Sequence, residues 1–108
     1  MDEEQVVDLG RFTEPAVLVL ASLAERPKHG YAIIVDVREN CGTELGPGTL
    51  YGALARLERR RLIEALPSED RRRPYRLTAS GAVALERHLK AVEKVARTGL
   101  RRLAEGSA

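Results

Sequence analysis

The chain has 108 residues, 44% apolar and 31% charged, enough for one modest core but too few for separate catalytic and regulatory domains. The composition fits a folded protein rather than a disordered one. No apolar run approaches the roughly 18 residues of a membrane span, and the opening MDEEQVVD lacks the basic start of a signal peptide. The single cysteine, Cys41, excludes an internal disulfide and a multi-cysteine zinc site, which predicts a cytoplasmic protein without metal or cofactor. The net charge of +2 hides an asymmetry. Asp2, Glu3, Glu4, Asp8 and Glu14 outweigh Arg11 at the start, whereas residues 53–76 hold Arg56, Arg59, Arg60, Arg61, Arg71, Arg72, Arg73 and Arg76 against four acids. Clustered arginine favours a polyanionic partner; a solvated charged face is the alternative.

In chain order, Thr13 and Pro15 open the run AVLVLASLAE, apolar almost all the way round and stopped at Arg26-Pro27, which predicts a buried helix over about 13–25. Pro27 to Gly30 reads as a turn. YAIIVDVREN places Ile33, Ile34 and Val37 on one face of a second helix ending near Cys41-Gly42, with a strand as the β-branched rival. Cys41 there reads as a small buried thiol. After Gly46-Pro47-Gly48, the segment TLYGALARLERRRLI repeats Leu50, Leu54 and Leu57 at the spacing of one buried helical stripe. The opposite face carries Gly48, Gly52, Ala55, Arg56 and Arg59, small at its start and positive further along. Residues 62–66 and Tyr75-Arg76-Leu77 flank a polar stretch ending in Arg71-Arg72-Arg73, which predicts a β-hairpin with a basic tip. Thr78 is a good N-cap for a last helix, over which Ala82, Leu85, Leu89, Val92, Ala96, Gly99 or Leu100, and Leu103 form an a/d seam.

This order predicts a mainly α protein with a small β-hairpin: a winged helix-turn-helix over 13–77 and a long C-terminal dimerisation helix over 78–105, in one domain. In such a fold the third helix enters the DNA major groove and the wing reaches backbone phosphates or the adjacent minor groove.

The sequence resembles the PadR-like transcriptional regulators through Pro27-Lys28-His29-Gly30-Tyr31, through the string from Gly46 to Glu58 (GPGTLYGALARLE), and through Arg73-Pro74-Tyr75-Arg76-Leu77-Thr78 leading to Gly81. That resemblance implies a dimeric DNA-binding repressor of the short subgroup, with the last helix and the N-terminal segment around Val6, Val7 and Leu9 forming the dimer. Some short relatives bind flat aromatic drugs through a tryptophan on that helix. This chain has no Trp and one Phe, so any small-molecule effector is expected to be small and apolar or weakly polar.

The expected partners are therefore double-stranded DNA and a second copy of the chain, with no membrane. The candidate DNA contacts are Thr49, Tyr51, Gly52, Arg56, Arg59, Arg71, Arg72, Arg73 and Arg76. Thr49 could instead cap its helix and Tyr51 could pack inward, whereas Tyr75 is expected to pack. Arg56 is the candidate for reading a base, and Arg59 for meeting phosphate. His29 reads as a cap or turn residue and His88 as an exposed or dimer-edge position. No phosphate loop, H-E-x-x-H or nucleophile elbow is present, so no catalytic residue is assigned. A winged helix that binds protein instead of DNA is the rival from another class, and it should present exposed aromatic or aliphatic anchors on the same face.

Overall fold

The computed structural model describes residues 14–106; Thr13, Val6, Val7 and Leu9, and with them the N-terminal part of the expected dimer contact, lie outside the described residues. Four helices and one hairpin follow in the order α1 (Pro15–Glu25), α2 (Gly30–Cys41), α3 (Pro47–Arg59), β1 (Ile63–Ala65), β2 (Tyr75–Leu77) and α4 (Ala79–Gly106). The expected α-rich winged arrangement is the observed one.

α1 is the centre. Pro15 occupies its first turn, and Arg26 is extended ahead of Pro27, the conformation a following proline favours. Its near-continuous apolar sequence follows from its packing: α2, α3, α4 and β2 all lie against it, and Leu18, Val19, Leu20 and Leu23 are buried. From α2 come Ile33 and Val37, and from α3 Leu50, Ala53, Leu54 and Leu57; Leu45 and Ile63 close the core. Each fully buried aliphatic side chain here stabilises the fold by about 1.5–3 kcal/mol. α2 is helical despite its Ile-Ile-Val run, and it buries Ile33 and Val37, one turn apart, in the shared core.

α3 begins at Pro47, with Gly46 at the N-cap. Thr49 is therefore inside the first turn and is not the cap. At its other end the amide of Arg61 donates to the Glu58 carbonyl and that of Leu62 to the Leu57 carbonyl, each at 3.0 Å, and Arg61 takes a left-handed φ of 61°. This is a Schellman ending, with arginine where glycine is usual.

β1 and β2 pair antiparallel, Ile63 opposite Leu77, Glu64 opposite Arg76 and Ala65 opposite Tyr75. Lys28, just before α2, adds a further rung: its amide donates to the Tyr75 carbonyl (3.2 Å) and its carbonyl accepts the Tyr75 amide (2.9 Å). The wing is thus tied to the α1–α2 corner.

Thr78 caps α4 as expected, accepting the Gly81 amide at 3.0 Å while its hydroxyl donates to the Arg61 carbonyl at 2.8 Å. A side-chain carbon at Gly81 would stand 2.0 Å from the Leu62 carbonyl oxygen, so only glycine admits this contact between α4 and the α3–β1 corner. Leu85 is buried in the core of its own chain, where it anchors α4 to the head; as a contact between chains it would be unavailable. Beyond it Leu89, Val92, Val95, Leu100 and Leu103 are exposed, and the molecule extends 59 Å along its longest axis. Among the described residues no helix is long and apolar enough to cross a membrane. Cys41 is exposed rather than buried: it follows Val37 by one turn on the same side of α2, but as the last residue of that helix it stands beyond the core.

Candidate nucleic-acid interface

Where the start of α2, the start of α3 and the wing meet, a concave pocket of about 330 Å³ is lined by His29, Gly30, Tyr31, Tyr51, Arg71, Arg72, Arg73 and Tyr75. Gly30 permits this meeting. A Cβ there would lie 2.9 Å from the Tyr51 hydroxyl and 3.2 Å from Leu50 Cδ2, so the Tyr51 phenol lies directly over the first residue of α2. Tyr51 is nevertheless 56% exposed and Tyr31 68% exposed. The two sequence readings of Tyr51 therefore meet in one geometry: the tip of its phenol lies against Gly30, while more than half of the residue stays exposed.

Tyr75 forms the inner wall and is half-buried. Burial, and next the nearby Glu58 carboxylate, push its phenol above the ordinary range, while Arg73 opposes them. The phenol stays protonated and able to donate near neutral pH.

The wing tip is shaped by its own hydrogen bonds. Asp70 Oδ1 accepts the Arg72 amide at 2.7 Å and the Ser68 hydroxyl at 3.1 Å, and the Ser68 Oγ accepts the Asp70 amide at 3.4 Å. Asp70 is thereby engaged with backbone and hydroxyl, and among the described residues no ion pair neutralises Arg71, Arg72 or Arg73. Three exposed positive charges consequently stand beside two exposed phenols. Such a surface suits phosphate oxygens, which accept both kinds of hydrogen bond.

Along α3, Thr49, Gly52, Ala55, Arg56 and Arg59 are all exposed, and a Cβ at Gly48 or Gly52 would meet nothing within 4 Å. The outward stripe is smooth at its start and cationic at its end. Gly52 and Arg56 lie one turn apart on it.

The family follows from comparison with known proteins. Residues 19–87 match the model of the transcriptional regulator PadR-like family. The chain belongs to that family. Its overall shape is similar to a PadR family transcription regulator from hypervirulent Clostridium difficile, 30% identical with a TM-score of 0.68 over 84% of this chain and 99% of that one. It is also similar to a transcriptional regulator from Clostridium thermocellum, 28% identical with a TM-score of 0.70 over 78% and 84% of the two chains. An uncharacterized 37.1 kDa protein in transposon TN4556 of Streptomyces fradiae is 44% identical over 85 residues, 79% of this chain; those residues span 25% of that relative's length. The PadR-like family to which these residues belong is one of transcriptional regulators.

Of the residues singled out from sequence, the PadR-like fold brings Tyr51, Arg71, Arg72 and Arg73 into one pocket and leaves Thr49, Gly52, Arg56 and Arg59 on the adjoining helix face. Arg76 is exposed, but the facing strand residue Glu64 pairs with its guanidinium, so its charge is already met. His29 occupies the N-cap position of α2 without a side-chain capping bond and lines the pocket. His88 is exposed on α4. Tyr31 is the addition that sequence reading missed. The signal was present: it lies two positions before Ile33, roughly 200° round the helix and thus off the buried stripe. Among the described residues no cluster of three His, Cys, Asp or Glu side chains could hold a metal.

Proposed function

We propose that this transcriptional regulator binds duplex DNA in a sequence-specific way and acts as a homodimeric repressor on an inverted-repeat operator. One observation carries the DNA-binding part: unpaired Arg71, Arg72 and Arg73 converge with the exposed Tyr31 and Tyr51 beside the smooth, Arg-ended outer face of α3. In this reading Gly52 and Arg56 enter the major groove, Thr49, Tyr51 and Arg59 meet phosphate, and the wing arginines follow the backbone. Arg76 is a lesser contact because Glu64 competes for it.

The dimer part is supported by α4. Its exposed Leu89, Val92, Ala96, Leu100 and Leu103 continue past the head on a helix about 42 Å long at 1.5 Å per residue. With Leu85 serving the core of its own chain, the seam between copies starts at Leu89. A groove of about 510 Å³ lined by Val17, His88, Leu89, Ala91, Val92, Val95 and Ala96 runs along the same side and would border a small apolar effector if the dimer leaves part of it open. Repression and the effector rest on the family resemblance.

The two exposed tyrosines are also what a protein-binding winged helix would display, so the test must separate the partners. Binding to duplex DNA should fall steeply with salt, with a logarithmic slope near 0.9 per phosphate contacted. Replacing Arg71, Arg72 and Arg73 with alanine should lower that slope by roughly two to three on every sequence. Arg56→Ala should cost roughly 1–3 kcal/mol at one base position and leave random DNA little affected. Salt-independent or absent DNA binding by the intact chain would support the protein-binding alternative.

A further inference from the structure

Lys28 is a buried charge that the contact surface does not use. Its side chain is 2% exposed, yet its charge is met: the ammonium donates to the Ser22 carbonyl near the end of α1 and forms ion pairs with the Glu25 carboxylate at 3.1 Å and the Asp36 carboxylate of α2 at 3.6 Å. The Ser22 carbonyl belongs to the last turn of α1, where backbone oxygens have no partner within the helix, so a cation is well placed there. Asp36 also accepts the Asn40 side-chain amide at 2.7 Å. The same residue's backbone exchanges two hydrogen bonds with Tyr75 of the wing. Lys28 is followed at once by His29, Gly30 and Tyr31, which form one wall of the pocket, while Tyr75 forms another.

We propose that Lys28 is the positioning residue of the DNA-binding face: its ammonium fixes the α1–α2 corner, and its backbone fixes the wing to that corner, so that Arg71–Arg73 stand opposite Tyr31 and Tyr51. The inference rests on the DNA-binding reading above for its functional consequence, though not for its structural one. An apolar residue would fill the space at Lys28. It would leave the Ser22 carbonyl and the Asp36 carboxylate without their cation, and leaving one member of a buried pair uncompensated is strongly unfavourable. The corner would open toward water, and the Tyr75 rung would loosen with it. The wing is held by this rung, by a three-residue pairing with β1 and the Leu66–Pro74 bond beside it, and by the packing of β2 on α1. Short two-stranded sheets are marginal alone, so the extra rung matters more here than within a wide sheet.

The experiment uses the full chain, Lys28→Met and Asp36→Asn, with two readouts: amide hydrogen exchange, and salt-dependent binding to a short duplex of random sequence. In Lys28→Met, exchange at the Tyr75 and Leu66 amides should accelerate at least tenfold while the amides of Leu54 and Val37 keep their protection. The salt slope should fall by roughly two to three as the wing arginines lose their alignment, and affinity at low salt should drop tenfold or more. Asp36→Asn keeps the lysine with two of its partners, so it should change both readouts in the same direction by less. If Lys28→Met opens the whole fold, the Asp36→Asn result decides. Unchanged Tyr75 exchange and an unchanged slope in a folded variant would overturn the proposal. A wild-type chain with no salt slope would sink the DNA-binding reading instead, and the exchange pattern would still judge the role of Lys28.

Discussion

Replacing Gly30 with alanine should damage DNA binding without damaging the fold. The added carbon would lie 2.9 Å from the Tyr51 hydroxyl, 3.2 Å from Tyr51 Cζ and 3.2 Å from Leu50 Cδ2. A contact at 2.9 Å is too close for carbon, so something must shift, and the group most free to move is the tip of the exposed Tyr51 ring. Rotating that tip costs little, and alanine in a helix is favoured over glycine by about 0.5–1 kcal/mol. The net stability change should therefore be within about 1 kcal/mol of zero by denaturant titration. Function should respond more strongly. A hydrogen bond to a charged group contributes about 1.5–3 kcal/mol, a tenfold or larger loss in affinity if the phenol no longer reaches its phosphate. Tyr51→Phe removes the same hydroxyl by a different route. The double variant should therefore bind about as well as either single one, giving a coupling energy close to the single loss. Wild-type affinity in Gly30→Ala, or fully additive losses in the double variant, would refute the idea that Gly30 acts by seating the Tyr51 phenol.

Three further outcomes follow from the same geometry. Leu89→Asp should convert a sedimenting dimer to monomer at micromolar concentration and weaken operator binding with it, while leaving the thermal unfolding of the head little changed because Leu89 is 43% exposed in the single chain. Gly81→Ala should destabilise by about 1–3 kcal/mol despite alanine's better helix propensity, since its Cβ would meet the Leu62 carbonyl at 2.0 Å; calorimetry showing equal or higher stability would contradict the observed packing. The Asp36 carboxyl is held below its ordinary range by the Ser22 hydroxyl first, then Asn40 and Lys28, against its desolvation. A depressed folded value stabilises above the unfolded value of 3.8 and loses that contribution as pH falls through the folded one. Asp36→Asn should thus be less stable than wild type at neutral pH, with the gap closing below about pH 4 in pH-dependent urea titrations.

Local pattern carried the helices well. Leu50, Leu54 and Leu57 declare their buried stripe by spacing alone, and the polar stretch between Leu66 and Tyr75 declares a hairpin. What stayed hidden depended on partners distant in sequence. Nothing near Lys28 indicates that its ammonium is buried against Asp36 or that its backbone pairs with Tyr75, 47 positions on. Leu85 and Leu89 look alike in the seam, and only the packing of α1 against the first turns of α4 separates an internal anchor from an exposed surface. The arginine cluster was legible as charge. Its division into free Arg71–Arg73 and a paired Arg76 required the strand register that puts Glu64 opposite.

The junction at Gly81 acts as a fulcrum. There α4 is pressed against the Leu62 carbonyl and pinned by Thr78 to Arg61, while the residues beyond Leu85 are almost all exposed. A rigid rod of about 42 Å pivoting at one end multiplies rotation into displacement: a tilt of roughly five degrees moves its far end by roughly 3–4 Å. In a dimer joined along these rods, the same tilt would swing the two α3 helices relative to each other by a comparable amount. Successive major grooves on one face of DNA are about 34 Å apart, which leaves little tolerance for such a swing. The stiffness of one glycine-to-carbonyl contact would then govern whether both heads can engage the duplex at once.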